Sequence, residues 1–237
     1  MNTLNRTTKV KNIYLFIIIP VILNLLLMGF YFSGIDVLQQ IISPNNGFLT
    51  REAGLLEQLQ NIYLLSIFAM FFYFSVKRTD THEKLFFFTL SLLFLFLFLE
   101  EIDYGISLYE FFTGEHTNGS ARNWHNESAD GDRQNVHYFK QLIDLANFLW
   151  FIILPLFAAK ITTPIIKCLI PNRFFIIGFL LTIIYSRIAH GLNNPDSGVV
   201  DGSLDGNISE FREHNTYYLY LLYSLQIIKS KLTLTFK

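Results

Sequence analysis

The chain alternates between long apolar runs and polar connections, and the runs predict six helices at about 12–32, 56–76, 85–103, 141–160, 172–190 and 209–228. A helix needs about 20 consecutive, mainly apolar residues to cross the hydrocarbon core of a bilayer, and each run approaches that length. The connections alternate in kind. Those at 77–84 and 161–171 are short and basic, whereas those at 33–55, 104–140 and 191–208 are longer and acidic. The pattern predicts an all-α, polytopic membrane helix bundle of about six transmembrane helices, with residues 1–237 as a single integral membrane domain.

Charge sorting supplies an orientation. With the N-terminus cytoplasmic, the inner face holds twelve of the 18 basic residues, from Arg6, Lys9 and Lys11 through Lys77, Arg78, Lys84, Lys160, Lys167 and Arg173 to Lys229, Lys231 and Lys237. It holds only two acids, Asp80 and Glu83, while the other seventeen of the 19 and five of the six histidines fall toward the outside. Every short inner loop obeys the positive-inside rule, which predicts both termini in the cytoplasm of a cell with this chain in its inner membrane. The first run is longer than a signal-peptide core, and no small-x-small site follows Leu27, so it reads as a retained helix.

Composition agrees. The chain has 25 Phe and 12 Tyr, and only 16% charged residues, against about 25% in soluble proteins. A net charge of −1 gives no field for nucleic acid. The single cysteine, Cys168, excludes an intrachain disulfide and lies on the wrong face to pair with the outer histidines. There is no GxSxG, GxGxxG, P-loop, HExxH or CxxC motif, and Ser186 beside His190 is a weak nucleophile pair. No internal repeat relates the two halves, glycine is scarce in the runs, and Pro20 and Pro155 are isolated, so the usual pointers to a secondary transporter are missing.

The candidate chemistry lies at the outer helix ends. The charge-free stretches 85–99, 145–159, 174–186 and 215–228 are too short to span alone. They must draw in Glu100, Glu101 and Asp103, then Asp144, then Arg187 and His190, then Glu213 and His214. Such groups pair, ligate a metal or line a wet cavity when buried, and they mark functional sites in membranes. Helical spacing puts Glu100 with Asp103 and Tyr104, and His137 with Gln141 and Asp144. It also groups Glu210, Glu213, His214 and Tyr217, and sets Glu57 with Asn61. All share one depth, so packing can gather them into one pocket. The alternative is that the acids sit in water at helix ends, where first-turn carboxylates favour the dipole, with Arg187 in a structural pair.

Three loop signals add candidates. Asn123-Trp124-His125-Asn126-Glu127 flanks an imidazole with amides and a carboxylate, as either a metal ligand, a general base or a solvated loop. Asp201, Ser203 and Asp205, with Gly206 and Ile208, match part of a calcium loop, but Arg212 stands where the bidentate glutamate belongs. The other reading is a turn in which Asn207 caps the sixth helix. N-x-S triplets at Asn118, Asn126 and Asn207 would be glycan acceptors only in a eukaryotic secretory setting. The segment 33–55 predicts a short interfacial helix ending near Ser43-Pro44, as a lid on the bundle.

Glu100-Glu101-Ile102-Asp103-Tyr104-Gly105, then Asn123-Trp124-His125-Asn126, then Glu210 and Glu213 resemble a set of uncharacterised bacterial multi-pass membrane proteins. Those carry a Glu-Glu-x-Ser-Trp-Gly-Gln run after a span, a later Leu-His-Asn and acids near the last span. The likeness covers about twenty residues, with Asp103, Tyr104 and Ile106 departing from the pattern. It implies a polar outer site and adds weight to Glu101, Gly105, His125 and Asn126.

The resulting expectation is a membrane-embedded hydrolase or transferase at the outer leaflet, acting on a lipid-like substrate. Glu100, Glu101, Asp103, His125, Asn126, Arg187, His190 and Glu213 form its catalytic set. His125, His190, Glu213 and His214 would ligate Zn²⁺, Mn²⁺ or Fe²⁺, Asp201, Ser203 and Asp205 would take Ca²⁺, and Arg187 would hold an anionic head group. The rival is a non-enzymatic binding or assembly subunit with a cation-binding outer face. The bilayer is the one partner implied.

Overall fold

A computed structural model describes residues 9–44, 54–102, 133–193 and 208–235, with Tyr104, Tyr109 and Thr113. All regular structure among them is helical. Helix α1 is Lys9–Tyr31, α2 Asp36–Ile42, α3 Leu55–Lys77 and α4 Thr81–Glu101. Helix α5 begins as Arg133–Phe148 and continues through a π turn, Leu149–Ile153, to a 3₁₀ turn at Ala158–Lys160. Then come α6, Pro164–Leu169, α7, Phe174–Leu192, and α8, Glu210–Thr235.

Five stretches are long and apolar enough to cross a membrane: Lys9–Tyr31, Leu55–Lys77, Thr81–Glu101, Gln141–Lys160 and Ile166–Leu192, the last interrupted around Pro171 between α6 and α7. The expected sixth, α8, has the length but not the apolarity. At 26 residues it extends about 39 Å, yet it is rich in Tyr, Glu and amides. Its polar groups are used by its neighbours. Tyr218 donates to the Leu15 carbonyl of α1 (2.9 Å), Tyr220 to Asn147 of α5 (2.8 Å) and Tyr223 to the Leu169 carbonyl of α6 (2.5 Å). Gln226 bridges Asn172 and the Ile170 carbonyl. A helix wrapped by others need not be apolar, because its hydrogen bonds are satisfied within protein.

The long helices run alternately up and down around α8. One core cluster joins Leu27 and Tyr31 of α1, Ile42 of α2, Leu56 of α3, Tyr185 and Ala189 of α7 and Phe211 of α8 at the end bearing the long connections. A second joins Phe16, Phe151, Phe175, Phe179 and Leu219, and a third joins α3, α4 and the C-terminal half of α8 through Phe71, Phe87 and Ile227. Large apolar side chains remain exposed along the helices, among them Leu25, Leu92, Leu93, Ile183, Ile184 and Ile188. A water-soluble surface does not carry so broad an apolar belt.

Both π turns have one cause. Proline lacks an amide hydrogen and its ring crowds the carbonyl four residues earlier, here Phe16 for Pro20 and Phe151 for Pro155. The wide turns Tyr14–Ile18 and Leu149–Ile153 enclose those two residues. Phe16 and Phe151 then pack on Phe175, at ring-centroid distances of 4.6 Å and 5.4 Å. The two prolines are thus alike in effect, a relation hidden in the linear pattern.

The two inner-end acids that broke the charge sorting also have local reasons. Asp80 caps α4, accepting from the Glu83 amide at 2.8 Å, and Glu83 lies 3.5 Å from Arg78. The predicted short helix forms as α2, ends at Ile42 and buries Gln39 and Ile42.

Candidate functional site

At the end of the bundle opposite the short basic connections, α3, α4 and α8 bring acids together in the interior. Helix α3 supplies Glu57 and Asn61 one turn apart, with Gln60 beside them; all three are buried. Helix α4 ends in Glu100, buried, and Glu101, half-buried. Helix α8 begins with Glu210, buried, then Glu213 and the fully buried His214, with Tyr217 a turn further.

Direct contacts tie these together. The Tyr217 hydroxyl donates to Glu101 Oε1 at 2.5 Å, joining α8 to α4. Gln60 Nε2 donates to Glu210 Oε2 at 3.0 Å and to the Glu210 carbonyl at 3.3 Å, joining α3 to α8. Glu57, Glu210 and Glu213 all lie within coulombic range of Glu101. Tyr104 turns out of α4 with a left-handed backbone (φ 52°), and its hydroxyl donates back to Glu100. Carboxylates gathered away from bulk water repel one another unless protons, hydrogen-bond donors or cations lie among them.

Three buried polar atoms on the same two helices lack hydrogen-bond partners: Gln60 Oε1, Asn61 Oδ1 and His214 Nδ1. The His214 ring rests against Tyr63, with centroids 5.5 Å apart. Buried polar atoms are nearly always paired in native structures, so three orphans beside an acid cluster are an informative exception.

Several expected residues are not part of this cluster. Arg187 and His190 are exposed on α7. That helix buries Thr182, Tyr185 and Ala189, and at about 100° per residue Arg187 and His190 point well away from Tyr185. The cations near His190 are Arg212 and Arg187, so it faces positive charge. Among the described residues Arg187 has no ion-pair partner. Asp144 is exposed as well and pairs with Arg212 at 2.8 Å. An exposed pair contributes about 0–1 kcal/mol, so Asp144→Asn is expected to change unfolding stability by less than about 1 kcal/mol, with the difference vanishing at high salt.

Nor do His190, Glu213 and His214 form a metal centre: among the described residues no three His, Cys, Asp or Glu side chains are placed to hold a metal ion. Asp103, Gly105, His125, Asn126, Asp201, Ser203, Asp205 and Asn207 lie outside the described residues. Helix α8 starts at Glu210, two residues after the start that Asn207 would cap directly, and carries Glu210 and Glu213 in its first turn.

Sequence reasoning missed Gln60 and Tyr63, and also the amide pair Asn24 and Asn215. These last two exchange reciprocal hydrogen bonds of 2.7 and 2.8 Å while each Nδ2 also donates to a carbonyl four residues earlier in its own helix. A lone amide amid an apolar run was the available signal for Asn24. Gln60 carries none, because its role depends on Glu210, 150 positions away. No family model, curated protein or solved structure matches this chain.

Proposed function

We propose that the chain is a multi-pass membrane protein whose acid cluster binds a cationic group at the outer end of the bundle, with both termini cytoplasmic by the positive-inside rule. The observation that carries the reading is the joining of α3, α4 and α8 at their acid-bearing ends, where Tyr217 donates to Glu101 and Gln60 to Glu210. The unpartnered buried polar atoms of Gln60, Asn61 and His214 support it. This favours the binding or assembly class over a metal-dependent hydrolase or transferase acting on a lipid-like substrate. That enzyme needs a ligand trio, and His125, its remaining imidazole candidate, belongs to the long connection 104–140.

The test is the thermal unfolding midpoint of the purified full chain in nanodiscs, with and without added cations. A ligand at a hundred times its Kd stabilises by about 2.7 kcal/mol, a rise of about 5 °C or more for a chain of this size. Glu101→Gln keeps an acceptor for Tyr217 but removes the charge, and should abolish that rise. An unchanged response in Glu101→Gln defeats the reading. Stoichiometric divalent metal retained by the purified protein, and lost on His125→Ala, would restore the enzyme.

A further inference from the structure

Independently of the acid cluster, we propose that the Leu192 end of α7 binds the phosphate of an anionic phospholipid, with Arg187 as its main contact and His190 beside it. One stripe of α7 runs Ile177, Leu180, Ile184, Arg187 and Gly191, all exposed and spaced three or four residues apart. The opposite face buries Phe175, Thr182, Tyr185 and Ala189. Arg187 is therefore not at a helix–helix seam. It continues the apolar stripe that faces lipid, with Ile183 and Ile188 exposed to either side, and His190 follows one turn later. Neither Arg187 nor His190 has a hydrogen bond or ion pair with a described residue.

Depth makes that position costly. Thirteen uncharged residues, 174–186, separate Arg187 from Arg173 at the other end of the helix, a rise of about 20 Å. The hydrocarbon core is about 30 Å thick. With Arg173 at one boundary, the Arg187 backbone lies short of the other, and its guanidinium reaches the headgroups only by extending along the helix. An unpaired cation at that depth is expensive. A phosphate drawn onto it removes the cost, while the acyl chains below lie along Ile184, Leu180 and Ile177. The guanidinium fork matches two phosphate oxygens. Charge selects the rest of the headgroup. The cations bearing on His190 are Arg212 and Arg187, and Asp144 is already engaged by Arg212 at 2.8 Å. Arg187 is left uncompensated, which a singly negative headgroup answers. The ammonium of a zwitterionic headgroup would meet this positive surface instead.

The experiment gives the full chain, purified in nonionic detergent, equal amounts of phosphatidylglycerol and phosphatidylcholine, and reads retained lipid by native mass spectrometry. Phosphatidylglycerol is expected to be retained about fivefold over phosphatidylcholine, and Arg187→Gln should remove that preference, as loss of one basic residue at an anionic surface implies. Arg173→Gln removes an exposed cation from the other end of the same helix and should leave the preference intact. If Arg187→Gln does not fold, the two-lipid comparison on the unaltered chain, with Arg173→Gln, decides. Equal retention of the two lipids overturns the proposal, as does a preference lost as fully in Arg173→Gln as in Arg187→Gln. Inorganic phosphate that displaces the lipid at equal concentration overturns it in favour of a soluble anion. A lipid-free dimer that requires Arg187 overturns it in favour of a second copy of the chain. None of these outcomes bears on the cation response of Glu101, so the two readings stand or fall separately.

Discussion

Gly54→Ala is expected to destabilise the bundle by about 3 kcal/mol, the upper end for overpacking a closed interior. Gly54 precedes α3 with φ −70° and ψ 155°, a backbone any residue adopts, so conformational strain is not the reason. Space is. A Cβ at this position would lie 2.2 Å from the Ile42 carbonyl oxygen, 2.9 Å from its carbon and 2.9 Å from Pro44 Cδ. Backbone atoms cannot rotate aside, so α2 and the start of α3 must separate, opening the cluster of Ile42, Leu56 and Phe211. The control is Gly34→Ala. Gly34 has φ +70° but open space around its Cβ position, so it should lose only about 1 kcal/mol from left-handed strain. Reversible unfolding in mixed micelles measures both. A Gly54→Ala protein as stable as Gly34→Ala would show that the α2–α3 contact is not held this tightly.

Asn24→Leu is expected to cost about 2 kcal/mol, because it strands a buried amide on Asn215. Each member of this pair is almost fully buried, and each donates both to its partner and to its own helix. The pair therefore fixes α1 against α8 in one register. Asn215→Leu should cost a similar amount, while the double variant should cost less than the two together, since an apolar pair leaves nothing unsatisfied. The double-mutant cycle reads this directly. Interhelical hydrogen bonds in membranes are usually weak, about 0.6 kcal/mol on average. A coupling near zero would place Asn24–Asn215 among those and remove its locking role. The site should respond too. Phe211 and His214 flank Asn215, so a slipped α8 would move Glu210 and Glu213 away from α3 and α4.

Much of the candidate site was legible because ionisable residues near apolar runs stand out. Glu101, Glu213 and His214 were expected from their places at the helix ends, Glu57, Asn61, Glu210 and Tyr217 followed from helical spacing, and of these Tyr217 contacts Glu101 directly. Arg187 and His190 satisfied the same argument and lie elsewhere. Spacing gives angles between residues on one helix, but not the rotation of that helix against its neighbours. In a water-soluble helix the apolar stripe supplies that rotation. In lipid both faces are apolar, and α7 is as hydrophobic at Ile183 and Ile184, which are exposed, as at Phe175 and Phe179, which are buried. The gap at Gly178 is what turns α7, since a Cβ there would sit 2.6 Å from Leu219 Cδ2 and 3.3 Å from Phe16 Cδ1.

From the sequence alone came the all-helical class, helices of membrane-spanning length and the alternation of basic and acidic connections. These depend on local composition and on the cost of moving charge into hydrocarbon, which no packing can alter. Tertiary structure decided which ionisable groups meet. It placed polar α8 inside the bundle, where neighbours absorb its hydroxyls and amides, and it left Gln60, Asn61 and His214 each with a buried polar atom unmatched. Partners 150 and 191 positions apart are chosen by how helices rotate and seat against one another, and that rotation is set by close contacts of small and aromatic residues that no periodicity in the chain records.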